Sequence, residues 1–223
     1  MRVGAGKRAW HGLAPVLVLV GALTACGQDQ DAEKNSKASA KTSAAAESGG
    51  TSGTGAESGG TIGADGSACE LPVTFDLARK WKAEAIDNGA AGSAELGDMI
   101  LRQGPVAAVC EIDAKPAGNI GFLRVFTGAP GDADTRAVLE AFVADEGKVS
   151  EEKYATFKAG DLEGVEVKYL YTSELLDETK EESALAVSTS DGPVVLHLGG
   201  MDTEEHEAML PALELAKRTL RAA

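Results

Sequence analysis

Two histidines and an aspartate near the end of the chain are the residues whose types and spacing most resemble a metal-binding set. His197 falls in an apolar run, and Asp202 and His206 follow at the start of a helical pattern. Imidazole nitrogens and carboxylate oxygens are ligands that transition metals accept. The simpler interpretation places His197 on the solvent side of its strand, Asp202 at a helix cap and His206 on the exposed first turn. We adopt it, and expect no metal and no cofactor.

Motifs for nucleophilic or phosphate chemistry are missing from the sequence. It has no Gly-x-Ser-x-Gly elbow, no Walker loop, no dinucleotide fingerprint and no zinc-peptidase helix. Ser150-Glu-Glu-Lys153 has the Ser-x-x-Lys spacing of penicillin-interacting enzymes, but it falls in a short acidic connection and no Ser-Asp-Asn accompanies it. We therefore expect no catalytic residue.

Cys69 and Cys110 form an even pair in the part of the chain that should fold. If the protein is exported, its compartment permits oxidation, so we predict a disulfide between them. Two buried free thiols or a metal pair are the alternatives. No Cys-x-x-Cys spacing or nearby histidine supports the metal.

The chain begins with the layout of a secretory signal. Basic residues come first, an apolar stretch runs from Leu13 to Ala22, and small residues precede Cys26. About ten apolar residues are too few to cross a bilayer, which needs roughly 20. We expect residues 1–25 to be a removable signal peptide.

Leu23-Thr24-Ala25-Cys26 resembles the bacterial lipobox. The resemblance implies that Cys26 receives a diacylglyceryl group, becomes the first mature residue and attaches the protein to the lipid bilayer. Two acyl chains give stable attachment, because each buried methylene contributes about 0.8 kcal/mol. We expect a membrane protein anchored by lipid on the extracytoplasmic face. An ordinary signal, cleaved or retained, is the alternative.

Residues 26–68 are rich in Gly, Ser, Thr, Ala and charge. Between Gly27 and Ala68 there is no aromatic residue, and Ile62 is the one branched aliphatic residue. Such a segment cannot bury enough apolar surface to offset its chain entropy, so we predict a disordered tether. The folded domain is then 69–223.

Acidic groups outnumber basic groups by 35 to 21. Removal of residues 1–25 takes away three basic groups and no acidic one, which leaves 18 against 35 and a net charge of -17. Nucleic acid and anionic lipid head groups repel such a body, so we exclude nucleic acid as a partner.

Short alternating or aromatic runs predict strands through most of the domain. They are Pro72–Leu77, Trp81–Ile86, Pro105–Ile112, Gly121–Thr127, Tyr154–Lys158 and Val165–Tyr171. A helix with the apolar stripe Val138, Leu139, Phe142 and Val143 should follow a cap at Asp132 or Asp134. The acidic stretch 173–183 is typical of a solvated connection between strands; the alternative is a loop tip that binds a partner.

The end of the chain predicts a hairpin and a helix. Ala184–Thr189 and Pro193–Leu198 are joined through Ser190-Asp191-Gly192, and Asp-Gly is a strong turn signal. A helix from about Asp202 to Arg221 follows, with Pro211 as a kink or a second start. The fold class is therefore α+β, with an antiparallel sheet of about six to eight strands covered by two helices.

This element order, with Val73-Thr-Phe-Asp-Leu-Ala-Arg-Lys-Trp81 as its first strand, resembles the PsbP-like fold of LpqN-type actinobacterial lipoproteins. The resemblance implies an α/β/α sandwich and a non-catalytic binding or assembly module. We expect an envelope lipoprotein that binds an unidentified envelope protein or small ligand. The alternatives are an envelope hydrolase or metal-dependent enzyme, and a solute-binding lipoprotein of a transporter.

Overall fold

A computed structural model of the protein describes residues 55–86 and 101–223. Its strands are β1 (Ser58–Ile62), β2 (Val73–Ala78), β3 (Lys82–Ala85), β4 (Arg102–Gln103), β5 (Val106–Asp113), β6 (Gly121–Thr127), β7 (Val149–Ala159), β8 (Leu162–Ser173), β9 (Glu178–Thr189), β10 (Gly192–Gly200) and β11 (Arg221–Ala222). Its helices are a 3-10 turn (Lys115–Ala117), α1 (Thr135–Asp145) and α2 (Thr203–Thr219).

In the described part of the chain, the main sheet is antiparallel and has eight strands. Their order is β3-β5-β6-β10-β9-β8-β7, and β4 pairs with β5 outside this path. The hairpin of β9 and β10 pairs Thr189 with Gly192. Gly192 has a φ of 118°, a conformation that glycine adopts without the strain of a side chain, as the Asp-Gly turn predicts.

Two apolar cores lie on opposite faces of this sheet. Side chains alternate along β10, so Val195 packs in the core of α1 with Phe142, whereas Leu196 and Leu198 pack in the core of α2 with Met209. The predicted α+β class, with two helices covering an antiparallel sheet, is confirmed. Because both faces are covered, β10 buries nearly every residue, and β9 buries the continuous run from Glu182 to Val187.

A second sheet of three strands, in the order β1-β2-β11, packs in the core of α2. The predicted boundary of the tether at residue 68 is wrong, because β1 is antiparallel to β2 and Ile62, which pairs with Phe75, is buried. Pairing with β2 gives hydrogen-bond partners to the backbone N–H and C=O groups of this Gly- and Thr-rich segment. Amino-acid composition does not show such pairing, so it wrongly predicts disorder here.

A disulfide joins Cys69 to Cys110, as the sequence predicts. Both cysteines are buried in the core of α2. The bond ties the segment before β2 to β5 of the main sheet.

Two predicted local features need correction. Most of the acidic stretch 173–183 is not a loop, because β8 and β9 continue to the pair of Ser173 and Glu178. Ser150 and Lys153 lie in β7, a strand rather than the short connection that the sequence indicates.

The helix caps match the sequence. Asp134 accepts a hydrogen bond from the Ala137 amide at the start of α1, and Asp202 accepts one from the Glu205 amide at the start of α2. Helix α2 runs through Pro211 without ending. The predicted signal peptide 1–25, Cys26 and the tether as far as residue 54 lie outside the described residues.

Candidate functional site

His197 is buried, with only 7 % of its surface exposed. The prediction that it faces solvent is wrong, although its parity within the strand was correctly assigned. It points away from Leu196 and Leu198, but toward the face that α1 covers, where its ring lies 5.5 Å from the ring of Phe142. A strand covered on both sides has no solvent face.

His197, Asp202 and His206, the set that was weighed for metal binding and not adopted, do not come together in the structure. His206 packs on the α2 face of the sheet, where its Nε2 lies 3.0 Å from the hydroxyl of Ser183. It is buried, so the expectation of an exposed first-turn residue is also wrong. Asp202 serves as the helix cap.

Three other polar side chains meet His197 instead. Its Nε2 lies 2.8 Å from Oε2 of Glu182, 3.3 Å from Oε1 of Glu146 and 3.2 Å from the hydroxyl of Tyr169. We call Glu146, Tyr169, Glu182 and His197 the His197 cluster. Its members come from four separate elements of the α1 face.

The fold explains why these residues meet. Tyr169 and Glu182 are direct cross-strand partners in β8 and β9, and His197 pairs with Ala184, which is on the same face as Glu182. Glu146 is the C-cap of α1, so it stands where the apolar stripe of that helix ends. The His197 cluster therefore lies next to the apolar core of α1, at the end of the helix.

Lys180 connects the cluster to the surface. Its ammonium lies 2.7 Å from Oε1 of Glu182 and donates a 2.7 Å hydrogen bond to the carbonyl of Gly200. It also lies 5.6 Å from the centre of the Tyr171 ring. The two oxygens of Glu182 are thus divided between an ammonium and an imidazole.

Burial and charge shift the pKa values of the cluster in opposite directions. Burial alone would raise the pKa of Glu182, but hydrogen bonds and charge from His197 and Lys180 lower it to about 2. Burial would lower the pKa of His197, but Glu182 raises it above the ordinary value. These directions describe a buried ion pair between Glu182 and His197.

The other carboxyl group behaves differently. Burial raises the pKa of Glu146, His197 opposes the rise, and the negative charge of Glu182 adds to it. Burial is also the main cause that raises the pKa of Tyr169, which therefore stays a neutral donor. On the α2 face, burial lowers the pKa of His206 to about 4.

A depression of about 570 Å³ opens beside Lys180. Tyr171, Leu176, Met201 and Asp202 are among the residues that line it. It lies at the end of the sheet where β8 turns into β9 and where β10 leads into α2.

Sequence reasoning did not find this arrangement. Glu146 and Glu182 look like ordinary surface acids in a chain that has many. The sequence does contain one signal for it. The alternation of apolar and polar residues in the strand around Tyr169 places this side chain in the interior, where its hydroxyl needs a polar partner.

These features define a two-faced α+β domain with a buried ion pair and a surface depression at one end. A family model described as an uncharacterised lipoprotein matches residues 37–220, and the chain belongs to this family. The predicted lipoprotein class is confirmed.

The fold is similar to the solution structure of cyanobacterial PsbP (CyanoP) from Synechocystis sp. PCC 6803. The identity is 10 %, the match covers 74 % of this chain and 98 % of that one, and the TM-score is 0.47. No curated protein matches the chain. No helix among the described residues is long and apolar enough to span a membrane.

Proposed function

We propose that the protein is a lipid-anchored lipoprotein of the cell envelope whose domain binds another envelope protein without transforming it. Membership of a lipoprotein family supports the anchor, as do the signal layout and the lipobox that ends at Cys26. The attachment is on the extracytoplasmic face, to which a lipoprotein signal directs the chain.

One observation carries the binding role. Four large apolar side chains are exposed among residues 55–86 and 101–223, and all four lie at the same end of the main sheet. We call them the apolar rim: Ile120 (52 % exposed), Leu175 (93 %), Leu176 (65 %) and Met201 (57 %).

Contacts join three segments into this surface. Leu176 and Met201 line the same depression, and the Met201 amide donates a hydrogen bond to the Ile120 carbonyl. Leu175 and Leu176 occupy the turn between β8 and β9. Exposed apolar groups gathered at one place mark an interaction surface more often than the same groups scattered singly.

The charge around the rim indicates the chemistry of the partner. Exposed carboxylates flank the rim, and they are Glu174, Asp177, Glu178, Glu181 and Asp202. A partner segment with apolar side chains for the depression and Lys or Arg side chains for its border would match both features. An anionic lipid surface and a second copy of this acidic chain would both be repelled.

Site-specific photo-crosslinking in intact cells tests this proposal. A photoreactive residue in place of Leu176 or Met201 should yield one discrete adduct with a basic envelope protein. The same residue in place of Asp191, which is exposed in the turn at the opposite end of β9 and β10, is the matched control and should yield none. Equal adducts from position 191, no adduct from either rim position, or an adduct with a second copy would contradict the proposal.

The anchor has its own test. Replacement of Cys26 by Ser removes the thiol that would carry the diacylglyceryl group, so the variant should leave the detergent phase in a partitioning experiment. Wild-type partitioning of the variant would show that something other than Cys26 holds the protein at the membrane.

A further inference from the structure

The His197 cluster brings three potential metal-ligand atoms to one buried point. They are Nε2 of His197 and one carboxylate oxygen each from Glu146 and Glu182, and all lie within 4.8 Å of one another. One imidazole nitrogen and two carboxylate oxygens form a donor set that Zn²⁺ accepts. This set shares only His197 with the set of His197, Asp202 and His206 that was weighed from the sequence and not adopted.

The separations suit a small ion. Ligand atoms held at about 2.0–2.2 Å from a tetrahedral ion lie roughly 3.3–3.6 Å apart. Nε2 of His197 is 3.3 Å from Oε1 of Glu146, and it is 2.8 Å from Oε2 of Glu182. The second separation is that of a hydrogen bond, and a small rotation of the Glu182 side chain would open it to the tetrahedral value.

Glu146 provides a second and independent observation. Its Oε2 is buried and has no hydrogen-bond partner among the described residues, although its side chain is only 10 % exposed. A buried polar atom without a partner costs about 1–3 kcal/mol, and more when it carries charge. The other oxygen of the same carboxyl group, Oε1, lies 3.3 Å from Nε2 of His197, so an ion bound by both carboxylate oxygens at that point would also give Oε2 a partner.

The charges of the cluster allow two states. Lys180 neutralises one carboxylate through Oε1 of Glu182. The remaining negative charge is balanced either by a proton on Nε2 of His197 or by a cation that takes the place of that proton. Protonation and metal binding therefore compete for the same nitrogen.

We propose that Glu146, Glu182 and His197 form a binding site for a divalent transition-metal ion, with Zn²⁺ as the representative. Lys180 holds Glu182 through the oxygen that does not face the ion, and the Tyr169 hydroxyl, 3.5 Å from Oε2 of Glu182, supports the ligand that does. The site lies between α1 and β8–β10, so the ion would join the helix end to the sheet.

Calorimetric titration of the full chain with Zn²⁺ tests the site. The protein is purified in detergent with a tag that does not bind metal and is first treated with a chelator. We expect one Zn²⁺ per chain, and an affinity that falls as the pH is lowered and His197 is protonated. Glu146→Gln and Glu182→Gln should each weaken binding by about 100-fold or more, because even the loss of an outer hydrogen-bond partner costs 10–100-fold.

Glu207→Gln is the matched control, since it makes the same chemical change at an exposed position of α2 and should leave the affinity unchanged. NMR of the wild-type chain gives a readout that does not depend on any variant. Zn²⁺ should shift the imidazole signals of His197 and leave those of His206 in place. No binding to the wild-type chain, binding to Glu146→Gln at full strength, or a shift at His206 alone would overturn the proposal.

Discussion

The His197 cluster and the apolar rim reverse the usual arrangement of a folded domain. The cluster places ionisable side chains in the interior, whereas the rim places Leu176, Met201 and their neighbours in water. Glu182, His197 and Lys180 neutralise one another across β9 and β10, so they belong to the stability of the fold. The rim side chains stabilise little in the isolated domain, which is why we assign them to a partner.

The largest difference in stability between variants of the two regions should come from breaking the ion pair between Glu182 and His197. Glu182→Ala removes the shared partner of His197 and Lys180 and leaves an imidazolium buried without its carboxylate. We expect the free energy of unfolding to fall by about 3–5 kcal/mol, measured by urea denaturation of the chelator-treated chain. Leu176→Ala, at the rim, should change it by less than about 0.5 kcal/mol. Equal losses for both variants would remove the distinction between the two regions.

Low pH should weaken the same pair. The pKa of Glu182 falls from its ordinary value of 4.5 to about 2 in the folded state, so its contribution is fully present above pH 4.5 and is lost as the pH falls toward 2. Over this interval the free energy of unfolding of the wild-type chain should fall by about 3 kcal/mol more than that of Glu182→Gln, because the variant lacks the titrating carboxyl group. Melting curves of the two proteins between pH 5 and pH 2, an interval set by that shift, measure the difference. Parallel curves would show that Glu182 is not held ionised.

Substitution of Glu146 should change the free energy of unfolding less than substitution of Glu182 does. Burial raises its pKa, so the ionised form is disfavoured in the folded state, and the amide of Glu146→Gln avoids that cost. In the presence of a chelator this variant should remain within about 1 kcal/mol of wild type at neutral pH. A loss as large as that of Glu182→Ala would mean that Glu146 shares the ion pair equally.

The smallest effect on stability should come from Met201→Ser. Its side chain is already 57 % exposed, so truncation should change the free energy of unfolding by no more than about 0.5 kcal/mol. Denaturation of the purified domain measures this. A loss of 2 kcal/mol or more would place Met201 in the core and weaken the case for the rim.

Much of the fold follows from local patterns in the sequence. The alternation of Gly121–Thr127, the Asp191-Gly192 turn and the caps at Asp134 and Asp202 act within a few residues, and the structure contains all of them. The strand β1 was missed because its stability comes from pairing with β2 rather than from its own composition.

The site could not be predicted in the same way. Glu182 sits in an acidic run that looks solvated, and it is buried only because Lys180 and His197 neutralise it. Glu146 is 36 residues before it in sequence and reaches it only through the packing of α1 on the sheet. Contacts of this kind depend on the tertiary structure, which periodicity does not reveal.

The most direct test of the central claim is the crosslinking yield from position 201 in cells that carry Leu176→Glu. The substitution adds a negative charge to the rim and should leave the fold intact, because Leu176 is 65 % exposed. If the rim binds an envelope protein, the adduct should fall at least tenfold while the amount of anchored protein stays the same. An undiminished adduct would show that the partner does not use the apolar rim.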